Sequence, residues 1–331
     1  MESKGKNKII IVGEKKSGKT SIFSMIFTNL YPSETSYFES TQSISKNQII
    51  FSGGELLELY DCGFEEKIEN NEYFLKTEPF DNVSTFIFVV NIELQKNSIN
   101  SNNIVINNKI ISNNSNYYSD LYKKINNNNL FNICMRLLIE KSPNAKIYIF
   151  IHKMDMIIMN KRKKMFEDKK NEISQKLINL KLNSNSKIYA TSIWDGSLYI
   201  PWREIMGNMV ANEAKLEKGL YYLSEACGCE EIFLFEKNTL LCIYSLVKGN
   251  SLNKDEKIKK ISFLLKKLKQ VLGKNKAGFS NLKMRLNNIM VYIELFSKYS
   301  YILFLSQKPK INYEFLSLNI YSLKKISNNS N

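Results

Sequence analysis

The 331-residue chain carries 47 Lys and Arg against 32 Asp and Glu, a net charge of +15, and 44 % of its residues are apolar. That length suits one large domain or two of ordinary size around real cores. Five cysteines (Cys62, Cys134, Cys227, Cys229, Cys242) lack metal-ligand spacing, no run of eighteen apolar residues occurs, and neither a signal peptide nor an acylation or prenylation site is present, which argues against a disulfide framework, a zinc site and a membrane span. The expectation is a reduced, cytoplasmic protein whose membrane attachment comes through a partner.

The first predicted element is a buried strand, the β-branched run Ile9 to Val12, which runs into Gly13-Glu14-Lys15-Lys16-Ser17-Gly18-Lys19-Thr20-Ser21. Gly13, Gly18, Lys19 and Thr20 fit G-x-x-x-x-G-K-[ST] without a mismatch. Gly13 lets the chain leave the strand, and Gly18 lets backbone N–H groups approach a phosphate without a Cβ in the way. Those N–H groups and the start of the next helix form an anion nest. Lys19 would reach the outer phosphates and the Thr20 hydroxyl would bind Mg²⁺. A bare pattern match can be a Gly/Lys-rich surface turn. Here a buried strand precedes it, and apolar residues at helical spacing follow from Ser21, so a nucleotide-binding loop is expected. Its candidate binding residues are Gly13, Lys16, Ser17, Gly18, Lys19, Thr20 and Ser21.

A polar stretch from Tyr31 to Asn47 reads as a mobile loop containing Thr41, a further candidate for nucleotide and Mg²⁺. Strands at 48–51 and 55–60 follow, joined by the turn Ser52-Gly53-Gly54. The second delivers Asp61, expected after a P-loop helix to hold Mg²⁺ indirectly, from outside its immediate ligands, and then Gly63. Thr85 to Val90 is another buried strand. Residues 95–129 read as an Asn/Ser-rich, disordered insertion, too polar to offset its ordering entropy. A helix from about Leu130 and a strand from Lys146 to Ile151 lead to His152-Lys153-Met154-Asp155. In a guanine-nucleotide protein the Asp155 carboxylate would accept hydrogen bonds from the ring N–H and the exocyclic amine, a pair that adenine lacks. Lys153 would lie along the base, and the only histidine, His152, would brace neighbouring loops. A basic helix (161–181) and a strand (187–190) lead to Thr191-Ser192-Ile193-Trp194-Asp195, where the N–H groups of Ser192 and Ile193 could meet the base carbonyl. Strands alternating with helices predict an α/β fold with a parallel sheet and ligands at the strands' carboxyl ends.

Beyond Met209 the pattern changes to a helix (Leu216, Leu220, Leu223), two strands (231–236, 239–247), a long amphipathic helix through Ile258, Ile261, Leu265, Leu268 and Leu272, three strands and a last helix (316–326). Residues 201–331 hold 21 Lys/Arg against 11 Asp/Glu, and residues 1–200 hold 26 against 21. The lysines opposite the apolar stripe (Lys257, Lys259, Lys260, Lys266, Lys267, Lys269) are expected to form a solvated face. No nucleic-acid recognition motif or aromatic-basic interleaving occurs, so no direct nucleic-acid binding is expected. The segment reads as an α/β interaction domain.

These motifs together resemble the Rag family of GTPases over nearly the full length. The resemblance rests on Gly13 to Ser21, on Asp61-Cys62-Gly63, on Ser142-Pro143-Asn144-Ala145-Lys146-Ile147, on His152 before Lys153 and Asp155, and on Thr191 to Asp195 with Leu198, Tyr199 and Trp202. Asp61-Cys62-Gly63 and Ser192 to Asp195 are similar to the RagA/RagB side. The resemblance implies a Ras-like P-loop GTPase domain over 1–209 and a roadblock-like α/β dimerisation domain over 210–331. It implies GTP and GDP as bound nucleotides and a heterodimer with a RagC/D-like GTPase. It also implies amino-acid signalling to the target-of-rapamycin kinase complex at the lysosome or vacuole membrane, where a lipidated scaffold holds the dimer. The family continues Asp-Cys-Gly with Gly-Gln, whereas this chain has Phe64-Glu65. Glu65 is thus the candidate at the water-orienting position, and slow hydrolysis is expected.

Overall fold

The computed structural model describes residues 7–39, 44–51, 55–62, 78–92, 127–208, 213–248, 254–274, 281–286, 289–306 and 313–328. Thr41, Gly63, Phe64, Glu65, the turn at 52–54 and most of the Asn/Ser-rich insertion lie outside them. The chain divides into two compact units. The first comprises Met1–Met25, Tyr31–Ile49 and Leu56–Asp195, and the second Ile26–Leu30, Ile50–Glu55 and Gly196–Asn331.

In the first unit the strands are β1 (Asn7–Gly13), β2 (Ile44–Phe51), β3 (Glu55–Cys62), β4 (Thr85–Asn91), β5 (Lys146–His152) and β6 (Ser186–Ala190). They form one sheet in the order β2-β3-β1-β4-β5-β6. β1 runs parallel to β3 and β4, and β4, β5 and β6 continue parallel. Every residue of β4 is buried, and six of seven are in β1 and in β5. The uninterrupted apolar runs follow from this, since a parallel strand covered on both faces has no solvent side to alternate with. The helices are α1 (Lys19–Phe23), continued as a π-helical turn over Ser24–Thr28, α2 (Asn127–Lys141) and α3 (Met159–Asn179). Two expectations change. Within the expected loop 31–47, Pro32–Tyr37 is a 3₁₀ turn and β2 already begins at Ile44. The Glu34 carboxylate accepts the Tyr31 N–H at 2.6 Å and the Thr35 hydroxyl donates to Pro32 O at 2.8 Å, bonds that a polarity count cannot foresee. And α2 starts at Asn127, inside the expected insertion, because Leu130, Phe131, Cys134, Met135 and Leu138 bury a face that carries the helix one turn back.

The second unit contains α4 (Tyr199–Gly207), α5 (Glu213–Cys227), β7 (Glu231–Glu236), β8 (Cys242–Val247), α6 (Lys254–Lys274), β9 (Asn281–Leu286), β10 (Ile289–Ser297), β11 (Ser300–Ser306) and α7 (Tyr313–Asn328). Its sheet runs β8-β7-β11-β10-β9 with antiparallel neighbours. Phe233, Phe235, Leu240, Ile258, Leu265, Ile293 and Leu303 form its core. The units separate between Asp195 and Gly196, one helix before the expected 209/210. Trp202, Ile205 and Met206 on α4 are fully buried, and α4 packs on β8 and α6. The expected solvated lysine face of α6 is corrected by Lys266, which is 5 % exposed. Its ammonium meets Ile26 O at 3.5 Å and stands 5.4 Å from the Tyr199 ring centre, and burial pushes its pKa down to about 7. No helix among the described residues is long and apolar enough to cross a membrane.

Candidate functional site

The carboxyl ends of β1, β3, β4 and β5 carry most of the predicted residues that lie among the described ones. β1 ends at Gly13, where an added Cβ would stand 2.1 Å from the Val89 carbonyl oxygen of β4, so only glycine allows the strands this close. Glu14 N–H donates to the same oxygen at 3.1 Å, and Ser17 N–H closes the loop onto Glu14 O at 3.2 Å. Lys16 (φ 55°) and Gly18 (φ 92°) are left-handed, the backbone ingredient of an anion nest. The Lys19 side chain is buried, and its ammonium donates to Gly13 O at 3.1 Å and Glu14 O at 2.9 Å. Burial lowers its pKa, opposed by the nearby Asp61 carboxylate. Lys16 is exposed, and Ser21 is half-buried next to Thr20.

The Thr20 hydroxyl donates to Asp61 Oδ2 at 2.6 Å. Burial raises the Asp61 pKa, while the Thr20 bond and Lys19 hold it down. Asp61 Oδ1 and Ser17 Oγ are buried without a hydrogen-bond partner. A hard cation fits here, because Thr20 and Asp61 supply adjacent oxygen donors, one of them unsatisfied. No group of three or more His, Cys, Asp or Glu among the described residues forms a metal cage, so a cation bound here would take its other ligands from phosphate oxygens and water.

At the ends of β5 and β6, the buried His152 ring pairs Nδ1 with Thr191 Oγ1 at 2.9 Å. Its opposite edge lies against Gly18, where a Cβ would meet Cδ2 at 3.0 Å. Burial, assisted by Lys153, pushes its pKa down to about 3, so the ring is neutral at physiological pH. Lys153 is left-handed (φ 63°) and turns the chain out of β5. Met154 N–H donates to Thr191 O at 3.2 Å and Thr191 N–H to Ile151 O at 2.9 Å, which stitches the loops after β5 and β6 together. The Ser192 hydroxyl donates to Asp155 Oδ1 at 2.5 Å and accepts Trp194 N–H at 3.0 Å. Arg162 anchors the same turn by donating to Asp155 O at 3.0 Å and Ile157 O at 2.7 Å. Ile193 is half-buried beside them.

Sequence reasoning missed Glu14, Asn91, Thr191 and Arg162 as parts of this framework. Glu14 had a signal: an acid inside a loop built to attract anions is out of place unless it is bound elsewhere.

The chain matches the Gtr1/RagA G protein conserved region over residues 8–265. It is 30 % identical over 323 residues to Ras-related GTP-binding protein A of Dictyostelium discoideum, with 96 % of each chain covered. GTP-binding protein gtr1 of Schizosaccharomyces pombe is 27 % identical over 97 % of this chain and 94 % of its own. Ras-related GTP-binding protein C of Homo sapiens is 22 % identical over 70 % of this chain and 51 % of its own. Among solved structures, Myxococcus xanthus MglB covers 34 % of this chain and 92 % of its own at 11 % identity and a TM-score of 0.30.

Proposed function

The chain belongs to the Gtr1/RagA family of G proteins, and from that membership we propose a guanine-nucleotide switch of the RagA/RagB kind that binds GTP and GDP with Mg²⁺. The observation that carries this reading is the Ser192–Asp155 bond at 2.5 Å. It fixes the carboxylate at the point where a guanine ring N–H and amine would donate to it, with Lys153 beside the base. At the other end of the rim the loop N–H groups and Lys19 receive the phosphates. Thr20 and Asp61 would hold Mg²⁺, with Thr41 as a third candidate, and bound there it would supply charge neutralisation at the outer phosphates. Competition titration should show strong preference for GTP over ATP, and Asp155→Asn should move preference towards xanthine nucleotides. Equal affinity for GTP and ATP would sink the assignment.

The same reading extends to a heterodimer formed through residues 210–331 with a RagC/D-like GTPase. Held by a lipidated scaffold at the lysosome or vacuole membrane, the dimer would report amino-acid sufficiency to the target-of-rapamycin kinase complex. Relatives from both the A and C sides of the family support this, as do β8 and β9 at the two edges of the second sheet. Co-expression with a RagC/D-like chain from the same organism should yield a stable heterodimer by sedimentation. A monodisperse monomer indifferent to such a chain would contradict it.

A second reading, a nucleotide-binding scaffold with little hydrolysis, is favoured by Phe64-Glu65 in place of Gly-Gln. A carboxylate about 5 Å from the γ-phosphate at an effective dielectric near 20 is repelled by roughly 3 kcal/mol before screening. Turnover about tenfold below that of a Gly-Gln enzyme is expected. Single-turnover hydrolysis of the Phe64→Gly/Glu65→Gln double mutant should be faster than wild type. An equal rate would assign the slow step to another part of the loop.

A further inference from the structure

We infer that Glu14 and Asn91 are positioning residues for the nucleotide, forming a clamp that fixes the first half of the phosphate loop to the end of β4. The inference rests on the guanine-nucleotide reading and assigns parts of that site which no motif names. Glu14 Oε2 accepts the backbone N–H of Asn91 at 2.7 Å, while Glu14 N–H donates to Val89 O at 3.1 Å. The Asn91 amide donates back to Lys16 O at 3.5 Å. Gly13, Glu14 and Lys16 are thereby each held against Val89 to Asn91, over a sequence distance of more than seventy residues.

The second half of the loop is held from the next strand. Asn91 stands in register with His152 on β5, and the His152 ring lies against Gly18. Two neighbouring strand ends therefore grip the two ends of one loop. Without the Glu14 carboxylate, the Val89 bond, the long Asn91 amide bond and the Lys19 and Ser17 bonds to the loop carbonyls would remain, but the side-chain hold of Glu14 on the end of β4 would be gone, and the N–H groups of the first half would be less well ordered towards phosphate. The clamp also settles the sign problem of an acid in an anion-binding loop. Binding the Asn91 N–H turns the Glu14 carboxylate onto β4; burial raises its pKa, and the Asn91 bond with the charges of Lys169, Lys176 and Lys19 offsets that rise only in part.

The test is the dissociation rate of a fluorescent GDP analogue from the full-length chain with Mg²⁺, in wild type, Glu14→Gln, Glu14→Met, Glu14→Asp and Glu14→Ala. Losing a charge-assisted hydrogen bond should speed dissociation from Glu14→Ala by roughly 10- to 100-fold. Glu14→Asp, one methylene too short to reach Asn91 N–H, should be several-fold faster than wild type and serves if the alanine variant does not fold. Glu14→Gln keeps an acceptor oxygen and should stay within about threefold of wild type, whereas Glu14→Met, of similar volume without that oxygen, should be nearly as fast as Glu14→Ala, a split that a packing role would not give. Glu14→Asp or Glu14→Ala at the wild-type rate would overturn the clamp, and so would Glu14→Gln as fast as Glu14→Ala. A wild-type chain that retains no guanine nucleotide would overturn the reading beneath it, and the clamp with it.

Discussion

Both units bury charged side chains, but they use them differently. In the first, Glu14 from the loop after β1, Lys19 at the start of α1, and Asp61 and the neutral His152 at the ends of β3 and β5 converge on a single rim. In the second, Glu236 accepts the Asn238 and Thr239 N–H groups at 3.0 and 2.6 Å and the Thr239 hydroxyl at 2.7 Å. Lys269 donates to the carbonyls of Lys237 and Asn238 at 3.2 and 2.5 Å. There the buried Glu236 and the half-buried Lys269 hold one turn and tie it to one helix. A buried charge is thus weak evidence for a site. Convergence of several from distant elements around exposed backbone N–H groups is stronger.

The sharpest test compares two glycines. Gly13→Ala sets a Cβ 2.1 Å from a strand carbonyl that cannot retreat, and should destabilise the first unit by about 4 kcal/mol or more. Gly219→Ala on α5 meets only the Leu323 methyl end at 2.9 Å, which can rotate away while the helix gains propensity. It should stay within about 1 kcal/mol of wild type. Chemical denaturation of both variants checks this, and similar losses would mean that the β1–β4 approach is not the constraint.

Next in size, Lys19→Ala should weaken guanine-nucleotide binding by on the order of 100-fold or more, because the phosphate charge loses its cation. Isothermal titration should register the loss with little change in the melting curve of the nucleotide-free protein. Glu236→Ala should do the reverse, leaving three donors at one turn unmet. A loss of roughly 2–4 kcal/mol is expected, with nucleotide affinity unchanged. If the two variants give the same pattern, the distinction between site charge and structural charge fails.

The smallest effect is in pH. His152 (about 3 instead of 6.5) and Lys266 (about 7 instead of 10.5) are both bases whose pKa is lowered in the folded chain. The unfolded chain binds their protons more readily, so stability rises with pH through each window. Lys266 contributes fully above about 10.5 and loses that contribution down to about 7. His152 contributes fully above about 6.5 and loses it down to about 3. Between pH 6.5 and 5 the wild type should lose about 2 kcal/mol that His152→Asn retains. Parallel urea midpoints for the two proteins across that interval would exclude a neutral, buried imidazole.

Much of the first unit is local in origin and was readable as such. The runs Ile9 to Val12, Thr85 to Val90 and Ile147 to Ile151 are short, almost wholly apolar and rich in β-branched and aromatic residues, which marks them as strands covered on both faces. Gly13, Gly18, Lys19 and Thr20 carry their chemistry in their spacing. The long helix and paired strands after Met209 follow equally from periodicity.

What the sequence could not decide were relations between residues far apart along it. Glu14 reads as a misplaced charge until Asn91 arrives 77 residues later. Lys266 reads as one lysine of a wet face until Ile26 and Tyr199 close over it. The helix at Tyr199 changes unit because Trp202 finds its burial there. Spacing along one strand or helix fixes which face a side chain takes, since that depends on φ, ψ and period alone. Which partner waits on that face depends on the packing of the whole chain, and so it was settled only in three dimensions.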